Sequence, residues 1–437
     1  MRGCAVVTLG PRRTALCAFL LAAAGCAPEP AGSDVTAFVG AQVWDGTGAE
    51  PIIDAIMLVS DGRILGVAAA SDIDIPRGAT VVDLSGLFVI PGLINTHGHV
   101  GGTLGLEGGH YTEENLDRQL RLYSAYGITA VNSLGGDQEL GLRVRDEDLH
   151  GRAHLYVAGA VVTGETVEEA LAVVEANAAM GVDWIKIRVD DNLGTTAKMA
   201  PEIYGPVIER THDRGLRLAS HLFYLEDAKA LLRAGTDFVA HSVRDREVDE
   251  EFLELMAERQ VCYSPTLTRE VSTFVYENTP DFFSDPFFSS RADPEVLAQL
   301  SDPERQERVR QSGAAQAYKR ALEIAMTNLK RVADSGVRVA FGTDTGPAGR
   351  FQGYFEHMEM ALMADAGLTP EQILRSATGD AAACLGIEDI GTLEESRHAD
   401  FVVLADDPLM DVRNARSIES VWMEGERIPQ HGRPKGP

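Results

Sequence analysis

Residues 91–99 read Pro-Gly-Leu-Ile-Asn-Thr-His-Gly-His, and the prediction of the fold begins from this segment. Apolar residues lead directly into two histidines two positions apart, and on a β-strand such residues project to the same side. At the end of a barrel's first strand that side can face the interior, where two neutral imidazoles can chelate one metal ion. A His-x-His pair is often incidental, so its interpretation depends on the rest of the chain.

Short apolar runs alternate with longer helical patterns across residues 91–390. Candidate strands end near His97, Ser133, Val162, Arg188, His221, His241, Thr266 and Asp344, and candidate helices cover 166–180, 201–214, 225–234, 248–259 and 370–385. Eight strand-plus-helix units predict an α/β fold of the (β/α)₈ TIM-barrel type. A doubly wound sheet is the competing fold, but no glycine-rich phosphate turn follows the first strand.

Residues 270–335 break this rhythm with Pro- and Phe-rich sequence followed by a long charged helix. We interpret this insertion as a lid over the barrel mouth, with a packing or oligomer element as the alternative. The two ends of the chain carry strand patterns instead, at 36–44, 55–60, 63–67, 80–90, 400–404 and 420–424, with a hairpin signal at Asp61-Gly62. We therefore predict a small β-sandwich domain formed from residues 35–90 and 391–437.

The N-terminus has the pattern of an export signal. Arg12 and Arg13 precede a short apolar run that ends in Gly25-Cys26, too short to span a membrane. Ala23 to Cys26 resembles a bacterial lipobox, which predicts a signal segment of residues 1–26 with lipidation at Cys26. Cleavage without lipidation is the alternative, and the Arg pair leaves twin-arginine export open. Residues 27–34 indicate a flexible tether, and the protein is expected in the cell envelope or periplasm.

Composition narrows the possible partners. The net charge of −27 would repel nucleic-acid backbones and anionic lipid, so we expect no nucleic-acid partner and membrane contact only through the anchor. Oligomer formation stays open. Cys262 and Cys384 are the two cysteines of the body; they form no disulfide framework, although a bridge between them remains possible.

Further residues with metal-binding side chains lie at the ends of predicted strands, where barrel enzymes keep their catalytic groups. Lys186 lies in an apolar strand, where an ammonium is costly to bury. It is either paired with a carboxylate or a neutral amine that captures carbon dioxide as a carbamate. His221, His241 and Asp344 each end a strand, although each alone could be a core or turn residue. Together with His97 and His99 they predict a metal centre.

These motifs resemble those of the amidohydrolase superfamily, in the branch of imidazolonepropionase-like enzymes and metal-dependent Xaa-Pro dipeptidases. The resemblance extends over almost the whole mature chain. It is carried by residues 91–99, Gly342-Thr-Asp344, 368–378, 391–404 and Asp407-Pro-Leu. Two positions depart from the pattern: Arg397-His398 replaces a common Gly-Lys, and Tyr224 follows His221 by three residues instead of two.

The resemblance implies two divalent metal ions, most simply zinc. His97 and His99 would hold the first with Lys186 and Asp344, while carboxylated Lys186 would bridge to a second ion held by His221 and His241. A hydroxide shared by the ions would attack the scissile carbonyl, with Asp344 as general base and then general acid. Imidazolonepropionases proper use one metal and lack the bridging lysine, so Lys186 favours the two-metal dipeptidase-like group.

The expected reaction is cleavage of an amide C–N bond in a small molecule, a dipeptide of the Xaa-Pro kind or an N-acyl amino acid. Tyr224, Arg244 and His110 are candidate substrate-binding residues. Arg188, Arg246 and Arg269 also follow predicted strands and are further candidates for binding a substrate carboxylate. The alternatives are a one-metal cyclic-amide hydrolase or deaminase and a non-catalytic, ligand-binding envelope lipoprotein.

Overall fold

The computed structural model of the protein describes residues 34–149 and 151–429. The predicted signal segment with Cys26, and residues 27–33 of the tether, lie outside the described residues. Within the described ranges, none of the helices has both the length and the apolar character needed to cross a bilayer.

The chain contains short strands and helices in alternation. The strands are β1 (Val35–Val43), β2 (Ile52–Ser60), β3 (Arg63–Ala69), β4 (Thr80–Asp83), β5 (Phe88–Pro91), β6 (Leu93–Gly98), β7 (Thr103–Leu104), β8 (Glu107–Gly108), β9 (Ile128–Ser133), β10 (His154–Val157), β11 (Trp184–Arg188), β12 (Arg217–His221), β13 (Phe238–Val239), β14 (Cys262–Tyr263), β15 (Phe401–Leu404), β16 (Ile418–Met423) and β17 (Glu426–Arg427). The α-helices are α1 (Glu113–Ala125), α2 (Glu139–Arg145), α3 (Val167–Met180), α4 (Pro201–Asp213), α5 (Leu225–Ala234), α6 (Glu250–Arg259), α7 (Leu267–Val271), α8 (Pro286–Ser289), α9 (Pro294–Leu300), α10 (Pro303–Gln311), α11 (Gly313–Asp334), α12 (Tyr354–Asp365), α13 (Pro370–Ser376) and α14 (Gly379–Leu385). Short 3₁₀ helices cover Val275–Glu277, Asp281–Ser284 and Val412–Arg416.

Parallel strands β6 and β9–β14, together with residues 339–345, form the barrel. Hydrogen bonds join the strands in two groups, β10-β9-β6 and β11-β12-β13-β14. Bridges between Val162 and Ile187, Tyr263 and Val339, and Gly98 and Thr345 connect these groups and close the ring. The (β/α)₈ barrel predicted from the sequence is confirmed.

The helices around the barrel follow local sequence signals. At α3, the Thr166 side chain accepts from the Glu169 amide while the Glu169 side chain accepts from the Thr166 amide, and Gly181 ends the helix in the left-handed region. The four predicted helices 166–180, 201–214, 225–234 and 248–259 match α3–α6 to within two residues. The stretch predicted as one helix over 370–385 is two, α13 and α14, because the backbone of Thr378 is not helical.

The two ends of the chain meet in one sheet of order β17-β16-β15-β5-β1-β2-β3, with β4 beside β1. The predicted hairpin is present, since β2 pairs antiparallel with β3 across Asp61-Gly62 and both turn residues have positive φ. Hydrogen bonds thus link all eight strands into a sheet built from both chain ends, as predicted. A bridge between Arg63 and His398 also brings β3 beside the residues that precede β15. The division of this domain into the two layers of a sandwich stays a prediction.

The insertion consists of short segments between Val275 and Gln311, followed by α11. Leu106, in the loop after the first barrel strand, packs against Tyr276, Val296 and Leu300 of the insertion. α11 lies against the barrel instead, because Asn328 Nδ2 donates to the Val243 carbonyl over 2.8 Å. The insertion therefore contacts the side of the barrel where strands end, and its action as a lid stays a prediction.

An ion pair fastens the barrel to the terminal sheet. His154 Nε2 of β10 lies 2.7 Å from Asp400 Oδ2, next to β15. Burial acts to lower the pKa of His154, but the carboxylate of Asp400 outweighs it, so the pKa is raised above its ordinary value of 6.5. The stabilisation from protonated His154 is therefore complete below pH 6.5 and is lost as the pH rises through the raised pKa.

We expect His154→Gln to lower the free energy of unfolding more at pH 6 than at pH 9, because only the protonated imidazole gains from Asp400. Urea unfolding at both pH values measures this difference. His212→Gln is the matched control, since His212 pairs with Asp237 at 2.9 Å on the exposed surface. A His154→Gln effect of the same size at both pH values would contradict the assignment.

Candidate metal centre

Six side chains predicted to bind metal come together where the barrel strands end. His97 lies in β6 and His99 directly follows it, Lys186 lies in β11, His221 ends β12, His241 follows β13 by two residues, and Asp344 lies in the eighth strand. Because parallel strands end at one face of a barrel, residues far apart in sequence become neighbours there.

His97, His99 and Asp344 form the tightest group. The Asp344 Oδ1 atom lies 2.9 Å from His99 Nε2 and 3.7 Å from His97 Nε2. One ligand atom from each residue lies within 4.8 Å of the other two. Two imidazoles and one carboxylate in this arrangement suit a borderline divalent cation such as Zn²⁺.

Lys186, His241 and His221 continue the same cluster. Lys186 Nζ lies 3.1 Å from His97 Nε2. The ring centroids of His97 and His241 are 4.6 Å apart, and those of His241 and His221 are 4.2 Å apart. All six residues predicted to bind metal therefore lie in one continuous cluster in space.

Lys186 is buried without the carboxylate partner that a buried lysine usually has. Its side chain is 3% exposed, and no carboxylate of residues 34–149 and 151–429 lies within 4 Å of its Nζ atom. Burial lowers the pKa of Lys186 to about 7, although the charge of Asp344 acts in the opposite direction. A large share of Lys186 is thus the neutral amine near pH 7, the form that can react with carbon dioxide.

Hydrogen bonds to other groups orient the imidazoles. His99 Nδ1 donates to the Gly135 carbonyl over 2.9 Å, which leaves Nε2 as the lone-pair atom. His241 Nδ1 lies 2.7 Å from Thr266 Oγ1. His221 Nε2 lies 2.8 Å from Asp190 Oδ2, which leaves Nδ1 free to face a cation.

The protonation states fit a cation. Burial is the largest cause that lowers the pKa of His97, His221 and His241, in the case of His221 to about 3. These imidazoles are neutral at pH 7. His97 Nδ1 is also buried without a hydrogen-bond partner, an unusual cost for a polar atom. A centre of neutral imidazoles with one carboxylate matches the donors that zinc requires.

Arg350 is a functional residue that the sequence analysis missed. Its Nη1 atom donates to Asp344 Oδ2, and its Nε atom donates to Ser272 Oγ over 3.0 Å. Burial acts to raise the pKa of Asp344, but Arg350 and the two nearby imidazoles hold it well below its ordinary value. Asp344 is therefore ionised at neutral pH. No signal in the sequence marks Arg350, because it lies in a loop six residues after Asp344.

Asp190 was missed as well, although a signal existed. It follows β11 by two residues and therefore stands at a strand end like the predicted residues. The side chains of Asp190 and His221 form an ion pair if His221 is protonated, and a hydrogen bond in either case. The strand-end rule that identified Asp344 would also have identified Asp190 if it had been applied to the residues just after β11.

The candidate substrate residues form hydrogen bonds or ion pairs with groups outside the six. Tyr224 donates to Asp191 Oδ1 over 2.8 Å, and His110 Nε2 lies 3.9 Å from Glu107 Oε2 in the first loop. The Arg244 side chain is 0% exposed, and its Nε atom lies 2.9 Å from Glu270 Oε1. It is therefore closed off from solvent, which differs from the open position expected of a substrate-binding residue. Substrate contact by Tyr224, Arg244 or His110 stays a prediction.

The other arginines considered are also engaged. Arg269 Nη1 lies 3.0 Å from Glu270 Oε2 and its Nη2 donates to Tyr318 OH over 3.1 Å. Arg188 donates to Asn192. Arg246 pairs with neighbouring Asp245 and is 63% exposed.

Comparison with known proteins agrees with this geometry. The Amidohydrolase family profile matches residues 88–428. An uncharacterised protein of Mycobacterium tuberculosis is 25% identical over 366 residues, which covers 80% of this chain and 85% of that protein. The ochratoxinase of Aspergillus niger is 23% identical over 291 residues, covering 64% of this chain and 53% of that protein.

Solved structures show the same fold. The structure of a Xaa-Pro dipeptidase with bound methionine has a TM-score of 0.70 and 20% identity, and it covers 90% of this chain and 99% of its own. The profile match spans more than half of the residues and includes all six clustered side chains. The predicted resemblance is confirmed, and the chain belongs to the amidohydrolase family.

Proposed function

We propose that the protein hydrolyses an amide C–N bond in a dipeptide, of the Xaa-Pro kind, or in an N-acyl amino acid. The observation that carries the proposal is the buried Lys186 amine beside three imidazoles, with Asp344 at the other side of His97. A neutral amine at this position has no structural partner other than His97 among the described residues, so a role in binding metal explains its burial.

The cluster fits two divalent ions. His97, His99 and Asp344 would hold the first, His221 and His241 the second, and Lys186, carboxylated by carbon dioxide, would be shared by both. Carboxylation turns a potential cation into an anion with two oxygen ligands, which compensates positive charge where the imidazoles supply none. Bound divalent ions polarise the scissile carbonyl and lower the pKa of water at the site.

Asp344 transfers the proton, and Arg350 orients the Asp344 carboxylate. Asp344 is ionised and buried, so its carboxylate accepts a proton from the attacking water and then donates it to the leaving nitrogen. Arg350 donates to Asp344 Oδ2 and keeps the other oxygen facing His99.

The activities of two similar proteins support this substrate class. One structural neighbour is a Xaa-Pro dipeptidase, and one relative is an ochratoxinase. Both resemble this chain at under 25% identity, so the choice between a peptide and another amide depends on experiment. A one-metal reaction on a cyclic amide or an amino group is the rival within the same fold.

We expect residues 27–437, expressed with zinc and bicarbonate, to cleave members of a pool of dipeptides and N-acyl amino acids, with products identified by mass spectrometry. Asp344→Asn should lower turnover by about 10²-fold or more, because the proton acceptor is lost. Lys186→Ala should lose activity and one of two bound metal ions. Full activity of Lys186→Ala, or ring opening and ammonia release alone, would instead favour the one-metal rival.

Arg350→Met should lower kcat/KM by about 10–100-fold, because Asp344 loses the group that orients its second oxygen. Steady-state kinetics on the substrate identified above measure the loss. Arg397→Met serves as the control, since Arg397 lies near Glu394 at 3.6 Å on a surface turn. Unchanged kcat/KM in Arg350→Met would exclude the orienting role.

We further propose that the protein is exported and held at the cell envelope through lipidated Cys26. A disulfide joins Cys262 of β14 to Cys384 of α14, across a separation of 122 residues. The bridge supports this location, because disulfides persist in oxidising compartments and are rare in the cytosol.

Protein recovered from the envelope should therefore contain no free thiol at Cys262 or Cys384. Replacing both residues by alanine should lower the free energy of unfolding by about 2–5 kcal/mol, because the bridge closes a long loop. A reducing agent should destabilise the wild type to a similar extent and leave the double variant unchanged. Recovery of the protein in the cytosol with reduced cysteines would contradict the proposed location.

A further inference from the structure

Helix α12 carries two fully buried carboxylates that the proposed reaction does not use. Glu356 and Glu359 are both 0% exposed and lie three residues apart on one face of the helix. A buried carboxylate is costly unless it is paired or hydrogen-bonded, and within the described part of the chain no Lys, Arg or His nitrogen lies within 4 Å of either one. The hydrogen bonds that these two carboxylates accept therefore indicate their role.

Glu356 accepts three hydrogen bonds, all at one oxygen. Its Oε1 atom accepts from Asn95 Nδ2 over 2.7 Å, from Thr343 Oγ1 over 2.8 Å and from Thr345 Oγ1 over 2.6 Å. Its Oε2 atom is buried without a partner. One oxygen thus joins the first barrel strand to the eighth.

The donors to Glu356 are the neighbours of two metal-centre residues. Asn95 Oδ1 accepts from the backbone amide of His97 over 3.0 Å. Thr343 and Thr345 flank Asp344, whose backbone has a φ of +58°, a conformation that needs support from its surroundings. Glu356 therefore fixes His97 relative to Asp344.

Both oxygens of Glu359 accept hydrogen bonds from residues next to the one that contacts His241. Its Oε1 atom accepts from the Leu267 amide, and its Oε2 atom accepts from the amide and the hydroxyl of Thr268, each over 2.7 Å. These residues directly follow Thr266, which has a φ of +49° and whose hydroxyl lies 2.7 Å from His241 Nδ1. Glu359 therefore fixes the hydroxyl that orients His241.

We propose that Glu356 and Glu359 are positioning residues, which together hold His97, Asp344 and His241 in the geometry that binds the metal. The inference rests on the proposed function, because it assumes that these three residues bind a divalent ion. It adds a single element, α12, as the common support of ligands from three different strands. Replacing a residue that orients a metal ligand weakens metal binding as well as lowering stability.

The two glutamates differ in a way that makes the idea testable. At Glu356 one oxygen takes every hydrogen bond, so glutamine can keep all three through its own carbonyl oxygen. At Glu359 both oxygens accept from N–H or O–H donors, so glutamine would place an amide NH₂ against a donor. Burial raises the pKa of both carboxylates, to about 7 for Glu356 and to about 8 for Glu359, so the contrast between the two glutamine variants rests on which oxygens accept hydrogen bonds.

The experiment compares zinc affinity in the full chain, measured by competition with a chromophoric chelator, and the visible spectrum of the Co²⁺-loaded protein. We expect Glu356→Ala and Glu359→Gln to weaken zinc binding by about 10–100-fold and to change the Co²⁺ spectrum. Glu356→Gln should resemble the wild type in both measurements. His357→Leu is the matched control, because His357 is buried on the same helix but bonds to the Tyr126 carbonyl over 2.8 Å; it should lower Tm and leave zinc affinity unchanged.

Three results would overturn the inference. The first is wild-type zinc affinity and spectrum in Glu356→Ala and Glu359→Gln with a lower Tm alone, which would make both residues ordinary core groups. The second is equal damage from Glu356→Gln and Glu359→Gln, a comparison that decides even if Glu356→Ala fails to fold. The third is a wild-type protein that binds no zinc or Co²⁺, which would remove the proposed function as well and is thereby distinguished from the other two.

Discussion

Closure of the barrel between its first and eighth strands is the constraint on which the site depends. The Thr96 amide donates to the Phe341 carbonyl, the Thr343 amide to the His97 carbonyl and the His99 amide to the Thr345 carbonyl, at 2.8–3.1 Å. These bonds set the register in which the two histidines of one strand face the aspartate of the other. A shift by one residue would turn each side chain to the opposite face of its strand.

Burying the centre carries a desolvation cost, and hydrogen bonds to its polar groups reduce that cost, with His97 Nδ1 as an exception. Four imidazoles, an amine and a carboxylate are gathered in a largely buried volume where water cannot solvate them. The bonds from His99 to Gly135, from His241 to Thr266 and from His221 to Asp190 each occupy one ring nitrogen. The other nitrogen is then available to a cation, so the same bonds that reduce the cost of burial also select the tautomer.

Local sequence patterns predicted much of this arrangement because they report on local physics. The alternation of apolar runs with helical stretches reflects strand and helix periodicity. The positions of His97, His221 and His241 at or just beyond strand ends, and of Lys186 inside β11, follow from it. Arg350 and Glu356 gave no such signal. Arg350 lies in an irregular loop, and Glu356 lies in a helix whose buried face could not be separated from an exposed one, since acidic residues usually face solvent.

The sequence by itself determined the barrel, the union of both chain ends and the six residues of the candidate centre, because each depends on periodicity, turn residues or a motif read along the chain. The three-dimensional structure was needed to show that Cys262 is bonded to Cys384, that Arg244 is buried against Glu270 and that α12 carries the two glutamates behind the centre. These features are contacts between segments distant in the chain. Such contacts depend on how distant segments pack against each other, which the spacing of residues within one segment does not determine.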